Sequence, residues 1–163
     1  MEREKKSYFS YNFSTPILTK KSMDKYNMSH TQNLEKLQKE IQLIYSRRKK
    51  KRLKPNQKIM LDFINGAINK AIFQIHSQKV TLFMGDEKKG FIHILKHYKA
   101  NDLEALDILN IAEVIERGMP LANEGVTNNT MKVYRQLKGL KDLRLILKQE
   151  KDGDWIVSFY KKV

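Results

Sequence analysis

Leu143-Arg144-Leu145-Ile146-Leu147-Lys148-Gln149-Glu150-Lys151-Asp152-Gly153-Asp154-Trp155-Ile156-Val157-Ser158-Phe159-Tyr160-Lys161-Lys162 is the stretch whose reading decides the fold. Leu143–Lys148 alternates apolar and polar residues, and Asp154–Lys162 alternates again. Lys151-Asp152-Gly153-Asp154 lies between them and carries the residue types of a tight chain reversal. The two runs read as a β-hairpin. Lys132–Lys138 has the same period and adds a strand upstream, so the C-terminal portion is a small antiparallel meander.

Alternation also assigns faces. Trp155, Val157 and Phe159 point one way, and Ile156, Ser158 and Tyr160 the other. Leu143, Leu145 and Leu147 oppose Arg144, Ile146 and Lys148; Val133 and Leu137 oppose Tyr134 and Gln136, with Arg135 falling on the apolar side. Turning the apolar sets toward helices leaves Tyr134, Arg144, Lys148, Ser158 and Tyr160 on the other face. That surface is polar, basic and aromatic, and suits a phosphate and a base. From alternation alone, an ordinary solvated face is the plainer reading.

Toward the N-terminus the period becomes helical. Gly118 and Pro120 end a helix carrying Leu103, Leu106, Leu109, Ala112, Val114 and Ile115, which Asn101 or Asp102 caps; residues 119–130 then form a loop. Gly90 opens a helix with Ile92, Leu95 and Tyr98 on one side. Val80–Met84 is a short β-rich run ended by Gly85-Asp86. Ile59, Leu61, Phe63, Ile64, Ile68, Ala71, Ile72 and Ile75 predict a helix over about 56–76. Ser29 and Gln32 resemble a capping box ahead of Leu34, Leu37, Ile41 and Ile44, predicting a helix over about 31–52. Residues 1–28, with Tyr8, Phe9, Tyr11, Phe13 and Tyr26, have no period and read as an arm. The expected fold is α+β: N-terminal helices followed by a small antiparallel meander packed on helices.

The 163 residues suit one domain or a small domain with an appendage. Cysteine is absent, which removes disulfides, thiolate metal sites and cysteine nucleophiles. The net charge is +14. Residues 1–79 hold 18 Lys/Arg against 6 Asp/Glu, and residues 80–163 hold 14 against 12. Such a surplus implies a polyanionic partner, and its placement divides the chain into a basic arm and helical region (1–79) and a second α+β unit (80–163). No apolar run is long enough to cross a membrane, and no signal-peptide core follows the charged N-terminus. The expected compartment is the cytoplasm, with delivery into a target cell by a route that leaves no such signal as the other option.

Gly90-Phe91-Ile92-His93-Ile94-Leu95-Lys96-His97 carries the chemistry. His93, Lys96 and His97 stand at i, i+3 and i+4 and share a helix face. Two imidazoles beside a cation can supply a base, an acid and an anion stabiliser. Zinc is the competing reading, but Ile94 follows the first histidine where a zincin needs Glu, and no third ligand is evident; no metal or other cofactor is expected. In the plainest reading one histidine packs and the other is exposed. His30 and His76 are isolated, and Asp102, Glu104, Asp107 and Glu113 read as solvated helix charges.

The run GFIHILKH, a helix ending in Ile111-Ala112-Glu113-Val114-Ile115, a strand with Tyr134, and LRLILKQEKDGDWIVSFYKK together resemble the phage-associated nuclease-like domains grouped with barnase, EndoU, colicin and RelE. The resemblance covers roughly 80–163 and implies a metal-independent ribonuclease. It implies His93 and His97 as acid and base and Lys96 and Arg144 as phosphate stabilisers. Ser158 stands where many members have Thr, Tyr160 where they have an aromatic, and Tyr134 is placed to stack on a base or donate to the phosphate. The function expected from the resemblance is a toxin-type ribonuclease acting on RNA, with tRNA among the candidates, and its expected partner is an acidic immunity protein or antitoxin.

Arg47, Arg48, Lys49, Lys50, Lys51, Arg52 and Lys54 form a basic run at a helix end, read as phosphate contacts rather than as a merely solvated terminus. Two other functions stay open: a nucleic-acid-binding module without chemistry, and a structural interaction protein of a phage or mobile element.

Overall fold

The computed structural model describes residues 28–47, 52–100, 102–121 and 130–163. In chain order these form helices α1 (Met28–Arg47) and α2 (Pro55–Ile64), strands β1 (Lys70–Ile75) and β2 (Gln78–Phe83), helix α3 (Phe91–Lys99), the short helices α4 (Ala105–Leu109) and α5 (Glu113–Arg117), and strands β3 (Met119–Leu121), β4 (Met131–Lys138), β5 (Lys141–Glu150) and β6 (Gly153–Lys161). The strands make one six-stranded sheet in the order β1-β2-β6-β5-β4-β3. Neighbours are antiparallel except β2 and β6, which run parallel. The fold is α+β, with the expected meander β4-β5-β6 at its centre and further strands on both sides.

Those further strands come from segments whose period misleads. The single helix expected over 56–76 stops at Ile64. Gly66 adopts a left-handed φ of +79°, and the Gly66 and Ala67 N–H groups return to the carbonyls of Phe63 at 3.1 Å and Asp62 at 2.8 Å. Lys70–Ile75 is then a strand with Ala71, Phe73 and Ile75 buried. Ile68, Ile72 and Ile75 fit a helical count as well, so the apolar residues alone allow both readings. His76 and Ser77, both at positive φ, form the two-residue turn into β2. The division between 79 and 80 falls inside β2, which pairs with β1 on one side and β6 on the other.

The helix expected after residue 102 is likewise interrupted, becoming α4 and α5 around Asn110–Ala112. Glu104, not Asp102, is its N-cap, and Asp107 reaches back to accept the Glu104 N–H at 2.8 Å. Part of the expected 119–130 loop is strand β3, paired with β4. The expected 31–52 helix is α1, Met28–Arg47. Most of the N-terminal arm lies outside the described residues.

All helices whose side chains enter the core meet one face of the sheet. Phe73, Leu82, Leu145, Leu147 and Phe159 pack there against Leu37 and Ile41 of α1, Phe63 of α2 and Phe91, Ile94 and Leu95 of α3. Phe63 and Phe91 meet edge to face at 5.1 Å.

A β-bulge alters the expected faces. Ile146 pairs with Ser158 but Leu147 pairs with Ile156, so Val157 is the additional residue on β6. Before it the alternation changes phase: Ile156 is buried in the core, and Trp155 joins Ser158 and Tyr160 on the outer face. Tyr134 pairs with Leu145 and packs on the core, so it leaves the outer face to which alternation assigned it. Arg135 pairs with Arg144, and Arg144 with Tyr160, which places all three on the outer face.

Candidate active site

The site begins where the sheet parts. β2 and β6 are paired only at Val80↔Asp154 and Thr81↔Trp155. Beyond that, α3 takes the place of a strand. The Gly90 N–H donates to the carbonyl of the bulge residue Val157 at 3.0 Å, and the Ile92 N–H to that of Met84 at 2.9 Å. The turn from β2 into α3 is tight. Gly85 has φ +68°, and a Cβ there would lie 2.1 Å from the Lys89 carbonyl oxygen. Asp86 Oδ1 accepts the N–H groups of Lys88 at 2.8 Å and Lys89 at 3.1 Å. The turn thereby presents the Glu87 carbonyl to the first turn of α3.

α3 buries Phe91, Ile94, Leu95 and Tyr98, which leaves His93, Lys96 and His97 on its flank. His93 Nδ1 lies 3.0 Å from the Glu87 carbonyl oxygen. A carbonyl only accepts, so Nδ1 carries the proton and Nε2 is the basic atom. His97 Nδ1 lies 2.7 Å from Asp102 Oδ2, and by the same logic its Nε2 is the atom left for exchange. The two rings are perpendicular, with centroids 5.1 Å apart, and His97 lies 5.9 Å from the Tyr160 ring.

The histidines differ in electrostatic setting. Burial disfavours the His93 cation and lowers its pKa below the ordinary 6.5; the nearby His97 and Lys96 act in the same direction, against the Glu87 carbonyl. His97 instead faces the Asp102 carboxylate, which holds its ring through Nδ1. Glu87 ties the flank together, its carboxylate lying 3.8 Å from Lys96 Nζ and 3.6 Å from His30 Nε2.

Across β6, Arg144 holds Asp142 with both ends of its guanidinium, Nε to Oδ1 at 2.9 Å and Nη2 to Oδ2 at 3.1 Å. Arg135 Nε reaches the same Oδ1 at 3.1 Å. The Arg144 hydrogen bond, with Arg135 adding to it, holds the Asp142 carboxyl down to about 2. Two guanidiniums and one carboxylate leave one net positive charge beside Tyr160.

His93 and His97 on α3 thus meet Tyr160 of β6, whose strand neighbour is Arg144 of β5; Lys96 shares the α3 flank, Ser158 shares the Tyr160 face of β6, and Tyr134 does not join them. Arg52 and Lys54 are exposed at the start of α2, whose Asn56 and Gln57 bond to Glu116 and Asn110 rather than to α3. The side chains of Arg47–Lys51 lie outside the described residues. Asp102, Arg135 and Asp142 are partners that the sequence reading did not assign. Arg135 gave a signal, as the one cation out of step with its strand, whereas Asp102 read as a cap. Glu104 and Asp107 hold Lys141 at 3.2 and 2.9 Å, and Glu113 holds Lys138 at 2.9 Å, so none of these three carboxylates is merely solvated. Among the described residues no three His, Asp or Glu side chains gather as a metal-binding group, and no helix is long and apolar enough to cross a membrane.

No family model matches the chain, and no curated protein matches it.

Proposed function

We propose that the chain is a metal-independent endoribonuclease of the toxin type. The observation that carries this reading is the pair of histidines on α3, each held through Nδ1–H, one by a neutral carbonyl and one by a carboxylate. With its pKa lowered, His93 is the neutral base that takes the 2′-hydroxyl proton on Nε2. The 2′ oxygen bonds to the adjacent phosphorus. The bond from phosphorus to the 5′ oxygen breaks, and the leaving oxygen takes its proton from Nε2 of an imidazolium at His97. Lys96 and the net positive Arg135–Asp142–Arg144 group offset the charge that builds on the phosphoryl oxygens. Tyr160 and Ser158 line the same side.

The substrate in this reading is RNA, tRNA among the candidates, met in the cytoplasm of the producing or a target cell. The partner that restrains the activity is an acidic immunity protein or antitoxin covering the cationic face. The second reading is a nucleic-acid-binding module without chemistry. What favours it is that Arg144 is already engaged in two hydrogen bonds by Asp142.

Wild-type protein and a His93→Ala/His97→Ala variant incubated with total RNA and tRNA in EDTA separate the two. Cleavage by the wild type alone, leaving 2′,3′-cyclic phosphate ends, is the expected result. RNA binding by both proteins with no cleavage in EDTA or magnesium supports the binding module instead.

A further inference from the structure

We infer that Phe83 and Trp155, on the same outer face as Tyr160, form a base-stacking subsite for single-stranded nucleic acid. This rests on the reading of the chain as a nucleic-acid protein, though not on its chemistry. The two rings meet edge to face with centroids 4.7 Å apart. Both are half-buried, and neither belongs to the core, which lies across the sheet. The Trp155 Nε1–H donates to Asp152 Oδ1 at 3.0 Å, which fixes the indole plane.

Lysines surround the pair. Lys70 is the cross-strand partner of Phe83 and lies 5.9 Å from its ring centroid. Lys148 is the cross-strand partner of Trp155. Lys79 precedes Thr81 by two residues on the same face, and Thr81 pairs with Trp155. The carboxylates of Asp152 and Glu150 also stand nearby, the latter 3.3 Å from Lys148. Aromatic faces ringed by cations match the two parts of a nucleotide: the rings stack on bases and the lysines meet phosphates.

Position supports a single strand. Beyond the bulge, Trp155, Ser158 and Tyr160 share one face, and five residues of strand separate Trp155 from Tyr160 by roughly 16 Å. A short extended oligonucleotide laid along β6 spans the ring pair and the histidines. Bases inside a duplex are stacked on one another and do not present a face to an indole.

Trp155 is the sole tryptophan, so its fluorescence reports the subsite directly. Wild-type protein is titrated in EDTA and low salt with a single-stranded oligodeoxynucleotide, which lacks the 2′-hydroxyl and is bound without cleavage. Anisotropy of a labelled oligonucleotide follows binding in parallel. Quenching by this oligonucleotide is expected, with little response to an abasic oligomer of equal charge, a blunt duplex or polyglutamate. Phe83→Ala is expected to weaken binding about 5-fold or more. Binding without quenching, no binding, or equal quenching by the abasic oligomer, the duplex or polyglutamate overturns the inference. Quenching by the oligodeoxynucleotide without cleavage of RNA supports the subsite and removes only the chemistry. RNA cleavage without quenching does the reverse.

Discussion

His93 is half-buried beside a second histidine and a lysine, so protonating it costs more in the folded chain than in the unfolded one. Its folded pKa is lowered. The associated stability is fully present above the ordinary value of 6.5 and is lost as pH falls through that value and on through the lowered folded one. Wild-type stability is therefore expected to decline on acidification over that window. His93→Gln is expected to flatten the decline, as read by urea denaturation at a series of pH values. An unchanged slope in the variant would show that other groups govern it. Asp142 acts much further down the scale: its carboxyl, held at about 2 by Arg144 and Arg135, contributes stability that disappears only in strong acid.

At the scale of elements, the turn from β2 into α3 decides where the histidines sit. Gly85 and Gly139 both have left-handed φ, +68° and +62°, but their surroundings differ. A Cβ on Gly139 meets nothing within 4 Å, whereas one on Gly85 runs into the backbone of Lys89 and Gly90. Gly139→Ala is expected to cost about 1 kcal/mol from the dihedral alone. Gly85→Ala adds a clash with the Lys89 carbonyl and is expected to cost roughly 3 kcal/mol or more. Thermal melts of the two variants side by side check this, and equal losses would show that the 84–90 turn relaxes freely. The bulge at Val157 has a comparable role. It changes the phase of β6, buries Ile156 and Phe159 together, and offers the Val157 carbonyl to the start of α3.

Across the whole molecule, the dominant quantity is the charge of +14. Binding to a polyanion must then fall steeply with salt, because each phosphate that a cation neutralises releases condensed counterions. Replacing Arg47–Arg52 with glutamines is expected to weaken RNA binding. The plot of log K against log salt should become shallower by about 0.7 for every phosphate that is no longer neutralised. An unchanged slope from anisotropy titrations would take this run out of the interface.

Local information determined much of this protein. The α+β class, the β4-β5-β6 meander, the turn at Lys151-Asp152 and the shared flank of His93, Lys96 and His97 all follow from side-chain period and turn chemistry, which depend on near neighbours. Four features required the tertiary structure. Lys70–Ile75 forms a strand because β2 is there to pair with it, though its isoleucines also fit a helix. Trp155 and Tyr134 take their faces from a single additional residue at Val157 and from the register of β4, neither of which alternation within one strand records. Asp102 meets His97 instead of capping a helix, because Glu104 occupies the cap. Arg135 joins Arg144 on Asp142 because the β4-β5 register sets Arg135 directly opposite Arg144. In each case the outcome rests on a bulge, a register or a contact that forms only when strands and helices pack together, and side-chain period does not record it.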